Sequence, residues 1–566
     1  MTNSAEIAIS ENSEAKVSFL TWLALLLAFI NVVLLHLPLT ECPLGVDQGV
    51  WSTVGLSINN GSVFFRDLLH FNLPGLGFSY ALALRLVSDP RIATAILNLS
   101  GCMLIMVGMF FLLRQTVSAA SGAWAVLFFS VWYPTMTHYW NLTQKDFMAM
   151  WGVLIATWLV ARAASGARWR KLSIYSAGIS VGLATMYKPL FVISGPMLAL
   201  IYTLRFMLPV GNLKQKKRQD WLNFLYDIAL LVAGALTIAI PFLMYLARAG
   251  ALEGLYYGVF VFAPEYASNS LPFSRMLNLM SRATYNVGLR YSMKHDIYFW
   301  VWTIVLGLGV ISLVKKNYGN EKYWLVVPCL TSAFTGFIQG KSYLYHALPW
   351  QIFLIAVAGC SFAYAWHLVY RSRFLIQLAC ISILSLVLII WTKTVFSNSR
   401  FANAELLLWQ NKISREEYMA KFYKRVYGTF PHEIEILAQW IKKNSLPTDK
   451  ILAWGLECQL YSLSERMHAT HSPFNLMLIY DLTGNTMANA WQAKIRHQFV
   501  QQLAAEKPKF IIIVNNDSGP MPSNLAVAVI PGFQAIIDDR YGKVESIGPF
   551  DVYQLQTSGE SNSRDN

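Results

Sequence analysis

The chain has 566 residues, of which 55% are apolar and 13% charged, with a formal net charge of +14 and a mean hydropathy of +0.41. That balance excludes an ordinary soluble domain and defines a polytopic α-helical membrane protein. It points to no nucleic-acid partner, because the basic residues are scattered through loops without an aromatic-lined platform.

The first sixteen residues are polar, include three Glu, and lack a basic stretch followed by a small-residue cleavage pattern, so the first apolar run is predicted to remain as an anchor. A membrane-crossing helix needs roughly 20 mostly apolar residues. Runs of that kind centre on Leu26, Leu104, Leu127, Leu154, Ile179, Met197, Leu231, Ile304, Thr331, Ile355 and Leu384, which predicts about eleven spans. Lys and Arg fall in alternate loops, at Arg114, Arg162 to Lys171, Arg205 to Arg218, Lys315 to Lys322, and Arg371 with Arg373. By the positive-inside rule these loops and the N-terminus are cytoplasmic. The long loops 39–91 and 250–297, and everything past residue 396, then lie on the outer face. Cys102, Cys329, Cys360 and Cys380 lie in apolar runs and read as small buried hydrophobes, whereas Cys42 and Cys458 share the outer side and are a candidate pair.

The first outer loop is where chemistry concentrates. Asp47 opens a helical apolar spacing through Val54, Leu56 and Ile58 that the NNGS sequence breaks, which predicts an amphipathic helix in the membrane interface with Asp47 near its N-terminus. Helix capping alone would also place an Asp there. Arg66, Asp67, His70 and Asn72 follow, and the apolar stretch 76–87 is too short to span, so a second interfacial helix is expected. Further on, Asp146 follows an aromatic loop with Tyr139 and Trp140. Lys188 precedes Pro189 at the end of a span, and Lys341 and His346 lie in GKSYLYHALPW. In isolation Asp146 would serve as a helix cap, Lys188 as a snorkelling lysine and His346 as a satisfied interfacial histidine.

Past residue 396 the character changes. Residues 398–437 are polar and helix-forming, and the Ile- and Val-rich runs KILAWGL and KFIIIVNN alternate with helical stretches. With the strand pair expected in YGKVESIGPFDVYQLQ, this predicts a small α/β domain over 397–566, ending in a disordered tail, after a transmembrane domain over 1–396.

The order of these features resembles the C-type (GT-C) glycosyltransferases that use polyprenyl-phosphate sugars, a superfamily including lipid A aminoarabinose transferases and protein O-mannosyltransferases. Asp47-Gln48-Gly49, Phe65-Arg66-Asp67 and Asn72-Leu73-Pro74 are similar to the family's first outer loop, with Asn72 standing where many relatives carry Lys. TQKDF at Asp146 is similar to the second outer-loop acid, and the segment from Gly182 to Lys188-Pro189 looks like the helix ending in Lys-Pro near the donor. GKSYLYHALPW, Gly340 to Trp350, is similar to the Tyr-His-Leu-Pro entry to a late span, and ILAWG, LYSLSERMHAT and KPKFIIIV resemble the outer α/β domain of many bacterial members.

The resemblance implies a transferase of the bacterial inner membrane moving a sugar, with inversion, from a polyprenyl phosphate to an envelope lipid, polysaccharide or protein. Such a reaction needs a base for the acceptor proton, positive charge on the departing phosphate, and exclusion of water. Asp47 suits the first role, and Arg66, Lys188, Lys341 and His346 suit the second. Asp146, His70 and Asp67 would serve as a second acid or, with Asp47, as ligands for a divalent cation, Mg²⁺, Mn²⁺ or Zn²⁺. The competing reading is a flippase for lipid-linked glycans that shares the cavity and does no chemistry. Against it, paired repeats with ionisable groups at mid-membrane are not evident.

Overall fold

The computed structural model describes residues 19–137, 139–207, 218–268, 305–311, 319–341, 343–370, 402–422, 430–482, 484–515 and 520–556, with a few isolated positions between. The spans centred on Ile304 and Leu384, the boundary after residue 396, Cys380 and the terminal tail lie outside the described residues.

Among the described residues, five helices are long and apolar enough to cross a membrane: Phe19–Thr40, Pro90–Thr116, Lys145–Ala164, Gln219–Arg248 and Tyr345–Trp366. Helices also occupy Ala119–Met136, Arg170–Tyr187, Ser194–Met207 and Tyr323–Ile338. Their burial sorts them into centre and rim. The apolar window of Tyr345–Trp366 is 78% buried and that of Gln219–Arg248 only 11%. An apolar helix left this bare in water would be an aggregation site, but hydrocarbon is its proper solvent. Close approach between helices comes from small residues, as is usual in lipid. A Cβ on Gly178 would stand 2.0 Å from the Leu231 carbonyl oxygen, and one on Gly234 would stand 2.1 Å from that of Tyr175.

The first outer loop folds into two helices, Val46–Asn59 and Gly75–Leu86. The first does not lie on the interface as its amphipathic spacing suggests, because its polar side is covered by protein. Ser52 Oγ meets Ser462 Oγ at 2.8 Å, Thr53 Oγ1 donates to the Cys458 carbonyl at 2.7 Å, and Ser57 Oγ lies 3.0 Å from His468 Nε2. Gly49 makes this seating possible, since a Cβ there would come within 2.6 Å of the Gln459 backbone nitrogen.

The covering layer is the C-terminal α/β unit. Its five-stranded sheet runs β2-β1-β3-β5-β4, from β1 (Lys450–Trp454), β2 (Met467–His468), β3 (Phe510–Val514), β4 (Tyr541–Ile547) and β5 (Phe550–Leu555). β2, β1 and β3 are parallel, and β4 and β5 form an antiparallel hairpin attached to β3. The fully apolar sequence of β3 follows from its central place: every residue of Phe510–Val514 is buried. Helices Pro431–Asn444 and Thr486–Glu506 flank the sheet and complete its core. Cys42 and Cys458 do not pair. Both are buried free thiols, facing the carbonyls of Pro38 and Pro473 respectively.

Candidate active site

Several helix ends meet at one end of the bundle, and each is set by a local rule. The helix Val46–Asn59 starts with half of a capping box: Gln48 Oε1 accepts from the Gly45 backbone N–H at 2.6 Å, and the glycine has no side chain to return the bond. Gln48 Nε2 also donates to the carbonyls of Tyr139 and Leu142, at 2.6 and 3.1 Å. Gln48 therefore does the capping and Asp47 does not. The Asp47 carboxylate is half-buried and has no hydrogen bond or ion pair among the described residues, and its charge acts on Lys145, Tyr266 and Tyr345.

The helix Lys145–Ala164 starts after Gln144, which places Asp146 in its first turn, fully buried. The helix Arg170–Tyr187 stops at Lys188, whose extended backbone (φ −155°, ψ 125°) is the conformation favoured before a proline. That stop turns the Lys188 side chain toward Asp146, where Nζ donates to Oδ1 at 3.0 Å and Oδ2 at 2.7 Å. The helix Tyr323–Ile338 ends at Gln339, ahead of Gly340 with φ +64°. Gln339 Nε2 donates to Asp146 Oδ1 at 3.0 Å, and its Oε1 accepts from Lys188. The Asp146 carboxylate is thus an acceptor for an ammonium and an amide, not a helix cap.

His346 lies in the turn Leu344–Ala347, 6% exposed, with the rings of Tyr345 and Tyr343 edge-on at 4.7 and 5.4 Å. Its Nδ1 has no hydrogen-bond partner, and the charges of Lys188, Asp146 and Lys145 all act on the ring. Lys341 Nζ sits 4.5 Å from the centre of the Tyr266 ring, a cation–π contact. Burial lowers its ammonium from the ordinary lysine range.

The remaining first-loop candidates are placed differently. Arg66 forks onto Asp67, Nε to Oδ1 and Nη2 to Oδ2, both at 2.8 Å, while Asp67 also accepts from the Val63 N–H. Hydrogen bonding from Arg66 holds the Asp67 carboxyl below the usual range. The pair is 49% and 36% exposed and pins a turn next to Ala249, apart from the Asp146 cluster. His70 is buried among rings, 4.5 Å from Trp51 and stacked on Phe71 at 5.3 Å, and its Nδ1 accepts from the Asn72 N–H at 3.0 Å. Burial, aided by Lys145, holds its imidazole well below its ordinary pKa and so neutral.

Three of the four expected metal ligands are committed to other partners. Asp146 is spent on Lys188 and Gln339, Asp67 on Arg66, and His70 Nδ1 on the backbone. Among the described residues no group of three or more His, Cys, Asp or Glu comes together to hold a metal ion.

Two participants were not singled out in the sequence. Gln339 has no motif around it. Lys145 is adjacent to Asp146, and its charge at the start of a span is the signal that could have found it.

No family model and no curated protein sequence matches the chain. Solved structures do. ArnT from Cupriavidus metallidurans bound to undecaprenyl phosphate covers 96% of this chain and 99% of its own, at 14% identity and a TM-score of 0.59. The same protein in the apo state covers 95% and 98%, at 14% identity and a TM-score of 0.60. The archaeal oligosaccharyltransferase AglB from Archaeoglobus fulgidus, in complex with an inhibitory peptide and a dolichol-phosphate, covers 96% of this chain and 75% of its own, at 12% identity and a TM-score of 0.46. At such identities the likeness to ArnT is one of fold. What the two share is a multi-pass helical bundle joined to a small α/β unit.

Proposed function

We propose that the protein is a membrane glycosyltransferase that moves a sugar from a polyprenyl phosphate to an acceptor of the cell envelope, with inversion at the anomeric carbon. The observation that carries this reading is Asp47: a half-buried carboxylate with no hydrogen bond or ion pair among the described residues, whose charge acts on Lys145 and Tyr345 as that of Asp146 does. A structural acid would be spent on a cap or a cation. One left open is placed to take a proton from an acceptor hydroxyl as that oxygen attacks the sugar. The bond from the anomeric carbon to the phosphate oxygen breaks as the new glycosidic bond forms, and the phosphate leaves as an anion. Lys188, oriented by Asp146 and Gln339, meets that developing charge. Support for the donor class comes from the shared fold with ArnT, which binds undecaprenyl phosphate.

In the same reading the chain crosses a bacterial inner membrane about eleven times. Its N-terminus is cytoplasmic, and the C-terminal unit over residues 397–566 faces the periplasm, where it covers the first loop and meets the acceptor. The test is transfer of labelled sugar from membrane extracts holding lipid-linked donors. Transfer by the purified protein and its loss in folded Asp47→Asn is the expected result. Transfer undiminished in Asp47→Asn would remove Asp47 from the chemistry, and no transfer by the native protein from a broad donor pool would favour transport.

A further inference from the structure

We propose that Lys145, together with the side-chain amide of Asn72, forms the receptor for the phosphate of the lipid carrier, a diester in the donor and a monoester once the sugar has left; this rests on the transferase reading above. Lys188 is a poor candidate for the whole task, since Asp146 and Gln339 already engage its ammonium. Arg66, the other first-loop cation, is closed onto Asp67. Lys145 differs from both. Its Nζ lies 5.5 Å from the centre of the Trp51 ring and donates no hydrogen bond to any described residue, so its N–H donors remain available to a ligand. Asp47 and Lys188 act on it electrostatically, which places it at the bundle end where the base and the leaving group must both be served.

Asn72 supplies a second unspent donor. It is 6% exposed, and its Nδ2 has no hydrogen-bond partner. Leaving a buried N–H unpaired is costly, so a site that keeps one is best explained by a ligand that completes it. Asn72 and Lys145 are linked through two rings: the Asn72 backbone N–H donates to His70 Nδ1, His70 packs on Trp51, and Lys145 sits over the other partner of that contact. The same loop reaches the Lys188 helix, where a Cβ on Gly75 would come within 2.5 Å of the Met186 carbonyl oxygen. An ammonium and a neutral amide, both short of acceptors and both anchored to one buried aromatic stack, suit an oxyanion. The Asn at position 72 then lends a hydrogen bond where it cannot lend charge, and the charge comes from the start of the helix Lys145–Ala164.

The experiment uses the full-length protein in detergent, with binding of undecaprenyl phosphate and of undecaprenol followed by native mass spectrometry, and with inorganic phosphate as competitor. For Lys145→Gln, undecaprenyl phosphate should bind about ten- to a hundredfold more weakly, the loss expected of a hydrogen bond to a charged group. Lys145→Arg should restore most of that binding, and undecaprenol should bind all variants alike. Asn72→Ala should weaken the phosphate-bearing lipid by a smaller factor. Undiminished binding of undecaprenyl phosphate by Lys145→Gln would overturn this receptor while leaving the transferase reading standing. Equal losses for undecaprenol and its phosphate would overturn it too, since the effect would then not be on the phosphate. Complete displacement by inorganic phosphate at equal concentration would reassign the site to the free anion. Absence of any undecaprenyl phosphate binding to the native protein would overturn the function proposed above and this site with it.

Discussion

Lys188 donates to both carboxylate oxygens of Asp146, 3.0 and 2.7 Å away, in a pair whose acid is fully buried and whose lysine side chain is 13% exposed. Two charges this far from water persist only because each compensates the other. Lys188→Met should therefore cost about 3–5 kcal/mol of stability by leaving a bare carboxylate. Adding Asp146→Asn should return part of that loss. A double-mutant cycle on unfolding of the detergent-purified protein reads the coupling, and strictly additive losses would show that the pair does not act as a unit.

Adjacent residues at the start of the helix Val46–Asn59 should have opposite phenotypes. Gln48 accepts from the Gly45 N–H and donates to two carbonyls of the Tyr139–Leu142 loop, so Gln48→Ala should lower stability by about 2 kcal/mol or more. Asp47 makes no such bonds, and Asp47→Asn should leave the unfolding midpoint unchanged while reducing sugar transfer by about a hundredfold or more. Thermal unfolding and initial rates on the same preparations check both halves.

Gly49 sets the distance between this helix and Gln459. A side chain there would press on backbone at 2.6 Å, which has no rotamer to yield. Gly49→Val should cost about 1–3 kcal/mol and loosen the seating of the C-terminal unit. Hydrogen exchange should rise in segment 458–471, where the contacts through Cys458, Ser462, His468 and His471 are made. Unchanged exchange would mean that the helix can shift to make room.

Glu457, just past β1, is 2% exposed, and burial together with the charge of Asp517 pushes its carboxyl from 4.5 up to about 8. Between these values the native protein holds a proton that the unfolded chain has released. Stability contributed by this group therefore falls as pH rises through that window, by up to about 1.4 kcal/mol per pH unit, and levels off above it. Glu457→Gln keeps an acceptor for the Leu456 N–H and removes the titration. Its unfolding midpoint should exceed the native one at pH 8 and match it near pH 4. A midpoint difference that does not vary with pH would show that the group does not titrate in that window.

What could be read in the sequence was whatever is written locally. Period and breakers located the helices at Val46–Asn59 and Gly75–Leu86, and runs of Ile and Val located β1 and β3. Lys188 before Pro189 was legible as a helix end because proline restricts the residue ahead of it. The partner of that lysine was not, since Asp146 and Gln339 are 42 and 151 positions away and no local pattern encodes their meeting. The burial of the first-loop helix was hidden for a related reason. Ser52, Thr53 and Ser57 look like a wetted face until the residues at 458–468 supply their partners. Arg66 beside Asp67 looked like unspent charge, and it took the turn around Phe65, with φ +70°, to close the two on each other.

The helix that carries Asp47 is also the surface on which the C-terminal unit rests, held through Gly49, Ser52, Thr53 and Ser57. Under the proposed function, acceptor preference and proton removal are consequently not separable modules. A chimera that grafts a relative's C-terminal unit onto this bundle would tilt the carboxylate along with the new docking face. The workable unit of exchange is the C-terminal unit plus the loop from Gly45 to Gly75, transplanted together.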